Sequence, residues 1–133
     1  MELPRELEET ADLRGREYAW PPRDFPVVLS RAEALGLACL GGQFQFRLPD
    51  AVCEMYWLNA DSADRAQHES WAAFVTRSCA EVLSTFTALV SSTDFLAEAK
   101  RWHDLPALSV PSAAPEQYIC FVAYFVSENA EPN

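Results

Sequence analysis

Leu37-Ala38-Cys39-Leu40-Gly41-Gly42-Gln43-Phe44-Gln45-Phe46-Arg47-Leu48-Pro49-Asp50-Ala51-Val52-Cys53-Glu54-Met55-Tyr56-Trp57-Leu58-Asn59 is the stretch that decides the fold. Phe44, Phe46 and Leu48 alternate with Gln43, Gln45 and Arg47, the period of two that gives a strand one buried and one wet face. Pro49-Asp50-Ala51-Val52 has turn chemistry, and Cys53 to Asn59 resumes as a second strand, so the stretch predicts an antiparallel hairpin. On the second strand Cys53, Met55 and Trp57 are expected to face one side and Glu54, Tyr56 and Leu58 the other. Gly41-Gly42, ahead of the alternation, signals a bulge or a turn.

Upstream, Asp24-Phe25-Pro26 reads as a helix start, with Asp24 as cap and Pro26 in the first turn. Val27, Val28, Leu29, Ala32 and Leu35 write an apolar stripe at helical spacing, and Gly36 ends it. Tyr18-Ala19-Trp20-Pro21-Pro22 is held extended, because a residue before proline is pushed out of the α region. Residues 1–19 are rich in Glu and Arg with few apolar points, and are expected as an acidic arm, either a weak surface helix or loose.

Downstream, Glu69 to Val90 carries Trp71, Phe74, Val75, Val82, Phe86, Leu89 and Val90 at helical spacing and predicts a long helix. Ser91-Ser92-Thr93-Asp94 offers caps for another helix bearing Phe95, Leu96, Ala99 and Trp102, and Pro106, Pro111 and Pro115 mark a loop. Gln117 to Ser127 is apolar on both faces, as an interior strand is. The order predicts an α+β fold, a single layered domain over residues 1–133. Its mainly antiparallel sheet, the hairpin plus the C-terminal strand, is packed with helices.

Twenty carboxylates against ten Lys and Arg give a net charge of −10. Phosphate binding needs clustered positive charge, and Lys100 is the one lysine, so neither nucleic acid nor an anionic membrane is an expected partner. A field of this sign either serves solubility or steers in a basic protein. Cys39, Cys53, Cys79 and Cys120 lack CxxC spacing and lie among apolar neighbours, the pattern of reduced, buried cysteines in a cytoplasmic protein. The acidic N-terminus has no apolar core of a signal peptide, and no run approaches the ~18 apolar residues of a membrane span.

No catalytic, cofactor-binding or metal-ligating set emerges. Gly41-Gly42 lacks the spaced glycines or Gly-Lys-Ser/Thr of a phosphate cradle. His68 and His103 stand alone near helix ends, and Cys79 falls within a helix near its apolar face rather than in the electropositive setting of an activated thiol. The carboxylates remain. Asp50, Glu54, Asp61, Asp64 and Glu69 bracket the hairpin and the following loop with only Arg65 among them, and Tyr56 stands as an aromatic anchor beside Glu54. Acids around an aromatic suit a basic protein surface; the alternatives are a solvated face, or paired acids in acid/base or metal chemistry.

From Leu37 through Pro49, Cys53 to Asp61 and on to Glu69-Ser70-Trp71, the chain resembles the small cytoplasmic immunity proteins of bacterial polymorphic toxin systems. The resemblance covers roughly Trp20 to Val90. It implies an antitoxin that neutralises one cognate toxin, delivered by type VI or contact-dependent secretion, by plugging the toxin's active site with acidic and aromatic residues. Under it Glu54, Asp61, Asp64 and Glu69 pair with basic toxin residues and Tyr56 supplies buried area. Two other classes stay open: a small enzyme or ligand binder with a pocket between sheet and helices, and an acidic secretion chaperone.

Overall fold

The computed structural model describes residues 2–130. Helix α1 (Arg5–Glu8) leads into strands β1 (Asp12–Arg14) and β2 (Glu17–Trp20), then α2 (Phe25–Ala34). Strands β3 (Ala38–Leu48) and β4 (Ala51–Asp61) form the expected hairpin. Helices α3 (Trp71–Ser92), α4 (Phe95–Ala99) and α5 (Pro106–Ser109) precede the final strand β5 (Ile119–Val126). The strands make one antiparallel sheet in the order β1-β2-β5-β3-β4. β5 is therefore central and β4 an edge.

The helices share one side of the sheet. Phe25 of α2, Phe44 of β3, Phe86 of α3 and Phe121 of β5 meet with ring centroids 4.6 to 5.3 Å apart, in tilted, stacked and edge-on pairs. Each ring belongs to a different element, so the cluster ties local structure to tertiary packing. α2 closes as the sequence predicts: Gly36 takes φ 75°, and the N–H groups of Gly36 and Leu37 reach back to the carbonyls of Glu33 and Ala32, a Schellman motif. Asp24 makes no side-chain cap there, whereas Ser70 and Asp94 do accept from Ala73 and Ala97 at the starts of α3 and α4. By length and composition alone α3 passes for a helix able to cross a membrane, although Arg77, Glu81 and several Ser and Thr interrupt its apolar residues. Here its Phe74, Val75, Ser78, Cys79, Val82 and Phe86 stripe is buried.

Two expectations are corrected. The acidic arm does contain a short helix, α1, but is docked and not loose: Leu7 is fully buried, Trp20 Nε1 donates to the Leu7 carbonyl at 2.8 Å, and residues 12–20 form a hairpin that pairs with β5. Its few apolar points are spaced too widely to announce this. Gln45 and Arg47, expected on a wet face, are buried.

The glycine pair does provide a bulge. Register slips between Cys39 and Gly41, where Gly41 adopts φ 122°. The bulge's backbone groups are then met by side chains: Ser78 Oγ accepts from Cys39 N–H at 3.1 Å, and Ser62 Oγ donates to the Cys39 carbonyl at 2.7 Å.

Candidate functional site

Among the described residues, no helix packs on the middle of the sheet's second face. Its apolar cluster consists of Ala19, Cys120 and Val122, all strand residues. What roofs them is polar. Arg47, with 4% of its side chain exposed, lies along the face; its Nε donates to Gln45 Oε1 at 3.0 Å. Nη1 donates to the Asp12 carbonyl at 2.7 Å and to Asp12 Oδ2 at 3.2 Å, and Nη2 to the Glu17 carbonyl at 3.2 Å. Arg14 extends the layer by donating to the Leu48 carbonyl and to Asp12. Gln45 Nε2 has no acceptor among the described residues. A groove of about 250 Å³ lies beside this layer, lined in part by Asp12, Arg14, Arg47 and Cys120.

Around the roof the face is open and acidic. Tyr124 is 44% exposed, and its hydroxyl donates to Glu17 in a short contact. Partial burial, followed by that carboxylate, pushes the phenol up to about 12. Val52 and Glu54 of β4 are exposed, Glu54 lying opposite the buried Gln45. Asp61 lies opposite Gly41 and accepts from Asn59 Nδ2 at 2.7 Å.

β4 departs from simple alternation. Phe44 faces Met55 while Gln43 faces Asn59, so Tyr56, Trp57 and Leu58 are extra residues in a bulge. Tyr56 and Trp57, expected on opposite faces, are both exposed there, Tyr56 at 70%. Trp57 is held fast: it stacks on Trp102 at 6.2 Å, donates to Glu98 at 2.8 Å and lies under the Arg101 guanidinium at 4.8 Å. Tyr56 packs edge-on against it with centroids 5.1 Å apart. The result is a rigid aromatic step with one face in solvent.

The six residues singled out from sequence do not form one cluster. Asp50 sits in the β3–β4 turn, Glu54 and Tyr56 along β4, Asp61 at its last position and Asp64 in the loop beyond it, a strip of roughly 25–30 Å at strand spacing. Glu69 is turned inward to a clasp. Arg77 of α3 grips both its oxygens at 2.7 and 2.9 Å, and also binds Glu81 at 2.9 Å and the carbonyls of Ala63 and Asp64. Glu69 in turn accepts from Ala66 N–H and Glu81 from Ala63 N–H. The loop carrying Asp64 is thereby stapled to α3, a preorganised rather than floppy rim. Glu17, Tyr124 and Val52 were not singled out from sequence; Val52 lies two residues from Glu54 on the same face of β4, whereas the sheet order alone brings Glu17 and Tyr124 to that face.

Arg77, then the Ala66 amide, holds the Glu69 carboxyl down at about 2, and Glu81 is lowered too, by the Ala63 amide first. A depressed carboxylate adds stability above its unfolded pKa of about 4.3 and loses it as pH falls toward the folded value. Acidification from about pH 4.5 to 2 should therefore open the 62–69 loop. Arg77→Met should speed amide exchange in that loop by about tenfold at neutral pH and flatten its acid dependence. Unchanged exchange would mean the clasp does not hold the loop.

No family profile, curated protein or solved structure matches the chain. The site must speak for itself.

Other candidate chemistry is placed as follows. All four cysteines are buried thiols, and burial pushes Cys79 and Cys120 up to about 11 and raises Cys39 and Cys53. Cys79 Sγ donates to the Leu37 carbonyl, and His68 and His103 are exposed. Among the described residues no group of three or more His, Cys, Asp or Glu side chains is placed to hold a metal ion.

Proposed function

We propose that this chain is a protein-binding domain that captures a basic partner on the open sheet face and the β4 rim, and that it acts as an immunity protein neutralising a cognate toxin domain. One observation carries the reading: from Leu48 to Asp64 the chain presents Asp50, Glu54, Asp61 and Asp64 with no Lys or Arg, around an exposed and braced Tyr56. Charge of one sign at the rim speeds encounter with a partner of the other sign, and a rigid aromatic at its centre supplies buried area at little entropic cost. Asp61 and Asp64 are held by Asn59 and the Arg77 clasp, so little ordering is left to be paid on binding. Glu69 supports this rim from behind rather than meeting the partner directly.

Affinity capture with the tagged chain from lysate of cells that encode it, at low and moderate salt, tests the reading. A single stoichiometric partner with a basic surface is expected, and its toxic activity should fall on addition of the chain. Glu54→Lys combined with Asp61→Lys should weaken that complex about 100-fold at low salt and reduce its salt dependence. Unaltered affinity would remove the β4 rim from the interface. Absence of any partner, with the neighbouring genes expressed, would count against the protein-binding reading.

A further inference from the structure

β4 is hydrogen-bonded to β3 on one side and, among the described residues, has no strand on the other. Such an edge is a row of backbone donors and acceptors able to pair with another chain. Natural edges are commonly blunted by Lys, Pro, inward charges or bulges. The segment Ala51–Met55 has none of these: it pairs in regular register with residues 44–48, its one charge, Glu54, points outward, and the bulge begins only at Tyr56. The other edge, β1, is three residues long and carries Arg14. It is the poorer acceptor.

We infer that the Ala51–Met55 edge takes up an extended basic segment of the partner as a sixth strand, with Tyr56 packing against its end. The inference rests on the protein-binding reading above and says how the partner is held. Charge selects the occupant. A second copy pairing edge to edge would set Glu54 and its flanking acids against the same acids with no cation on β4 to offset them, and like charges on adjacent strands repel. An incoming strand that alternates cationic and apolar residues meets both needs: cations on the open face near Glu54, apolar side chains on the side of Cys53 and Met55. The bulge limits pairing to five residues, a usual strand length.

The test measures amide hydrogen exchange of the full chain by NMR at low salt, with an alternating Lys–Val heptapeptide as probe. Its Glu–Val counterpart and a proline-interrupted Lys peptide are the controls. Outward-facing amides within residues 51–55 should slow by about tenfold with the Lys–Val peptide alone, and Glu54→Lys should abolish the effect. Binding that leaves these amides unchanged, or no binding at millimolar peptide, overturns the inference. Slowing that grows with protein concentration without peptide also overturns it, because a second copy then occupies the edge. A captured partner protein that binds without protecting residues 51–55 would overturn strand addition while leaving the protein-binding reading intact.

Discussion

Gly42→Ala is expected to destabilise the fold by about 3 kcal/mol or more and to lower Tm by roughly 10 °C. Gly42 lies in β3 between Ala60 of β4 and Ala123 of β5, and a Cβ added there would fall 1.8 Å from the Val122 carbonyl oxygen. The obstacle is backbone of the central strand, so no side chain can swing aside. β5 would have to shift, disturbing Phe121 and the ring cluster on the helical side. Gly15→Ala is the control: its Cβ meets nothing within 4 Å, which leaves only the left-handed backbone at φ 62° to cost about 1 kcal/mol. Thermal and urea unfolding of both proteins measures the difference. Equal, small effects would mean that β3 and β5 do not approach as described.

Arg47→Met is expected to cost about 2–4 kcal/mol, although it removes a charge from a protein that already looks well supplied with apolar surface. The guanidinium serves Gln45, Asp12 and Glu17 together, and Gln45 is fully buried, so truncation strands its Oε1 away from water. Gln45 Nε2 is already without an acceptor among the described residues, so the substitution would leave the whole amide unpaired there. Replacing both partners by apolar groups of similar shape removes the polar atoms that need satisfying. Gln45→Met in the Arg47→Met background should therefore recover a large part of the loss, a coupling that a double-mutant cycle reads directly. Purely additive unfolding free energies would show that Arg47 and Gln45 do not act as a unit.

These two positions also mark what the sequence makes legible. Gly41-Gly42 before an alternating run announces a bulge, and the helical stripes of Phe25–Ala34 and Trp71–Ser92 announce their elements, because each signal is local in period and cap chemistry. Arg47 shows why the rest is hidden. Its place between Phe46 and Leu48 reads correctly as the opposite face. Nothing local tells that a long side chain lies flat there and is covered by residues 30 or more positions away. The N-terminal hairpin is hidden for the same reason, since β1 has three residues and gains its stability from β2 and, through it, β5.

The candidate site divides along the same line. Glu54, Asp61 and Tyr56 are legible as an acidic, aromatic rim because they lie on one strand with no intervening base. The bulge that turns both Tyr56 and Trp57 outward depends on pairing with β3, and the inward turn of Glu69 depends on Arg77 eight residues on. Glu17 and Tyr124 join the face only because β5 inserts between β2 and β3.

Hydroxyl-radical footprinting of the complex formed with the partner that affinity capture is expected to yield tests the central claim most directly. Tyr56, Trp57 and Tyr124 should lose reactivity on complex formation, while the exposed Leu83 and Val90 of α3 keep theirs. Protection of Leu83 and Val90 with Tyr56 and Tyr124 still reactive would place the interface on the helical side and contradict the account.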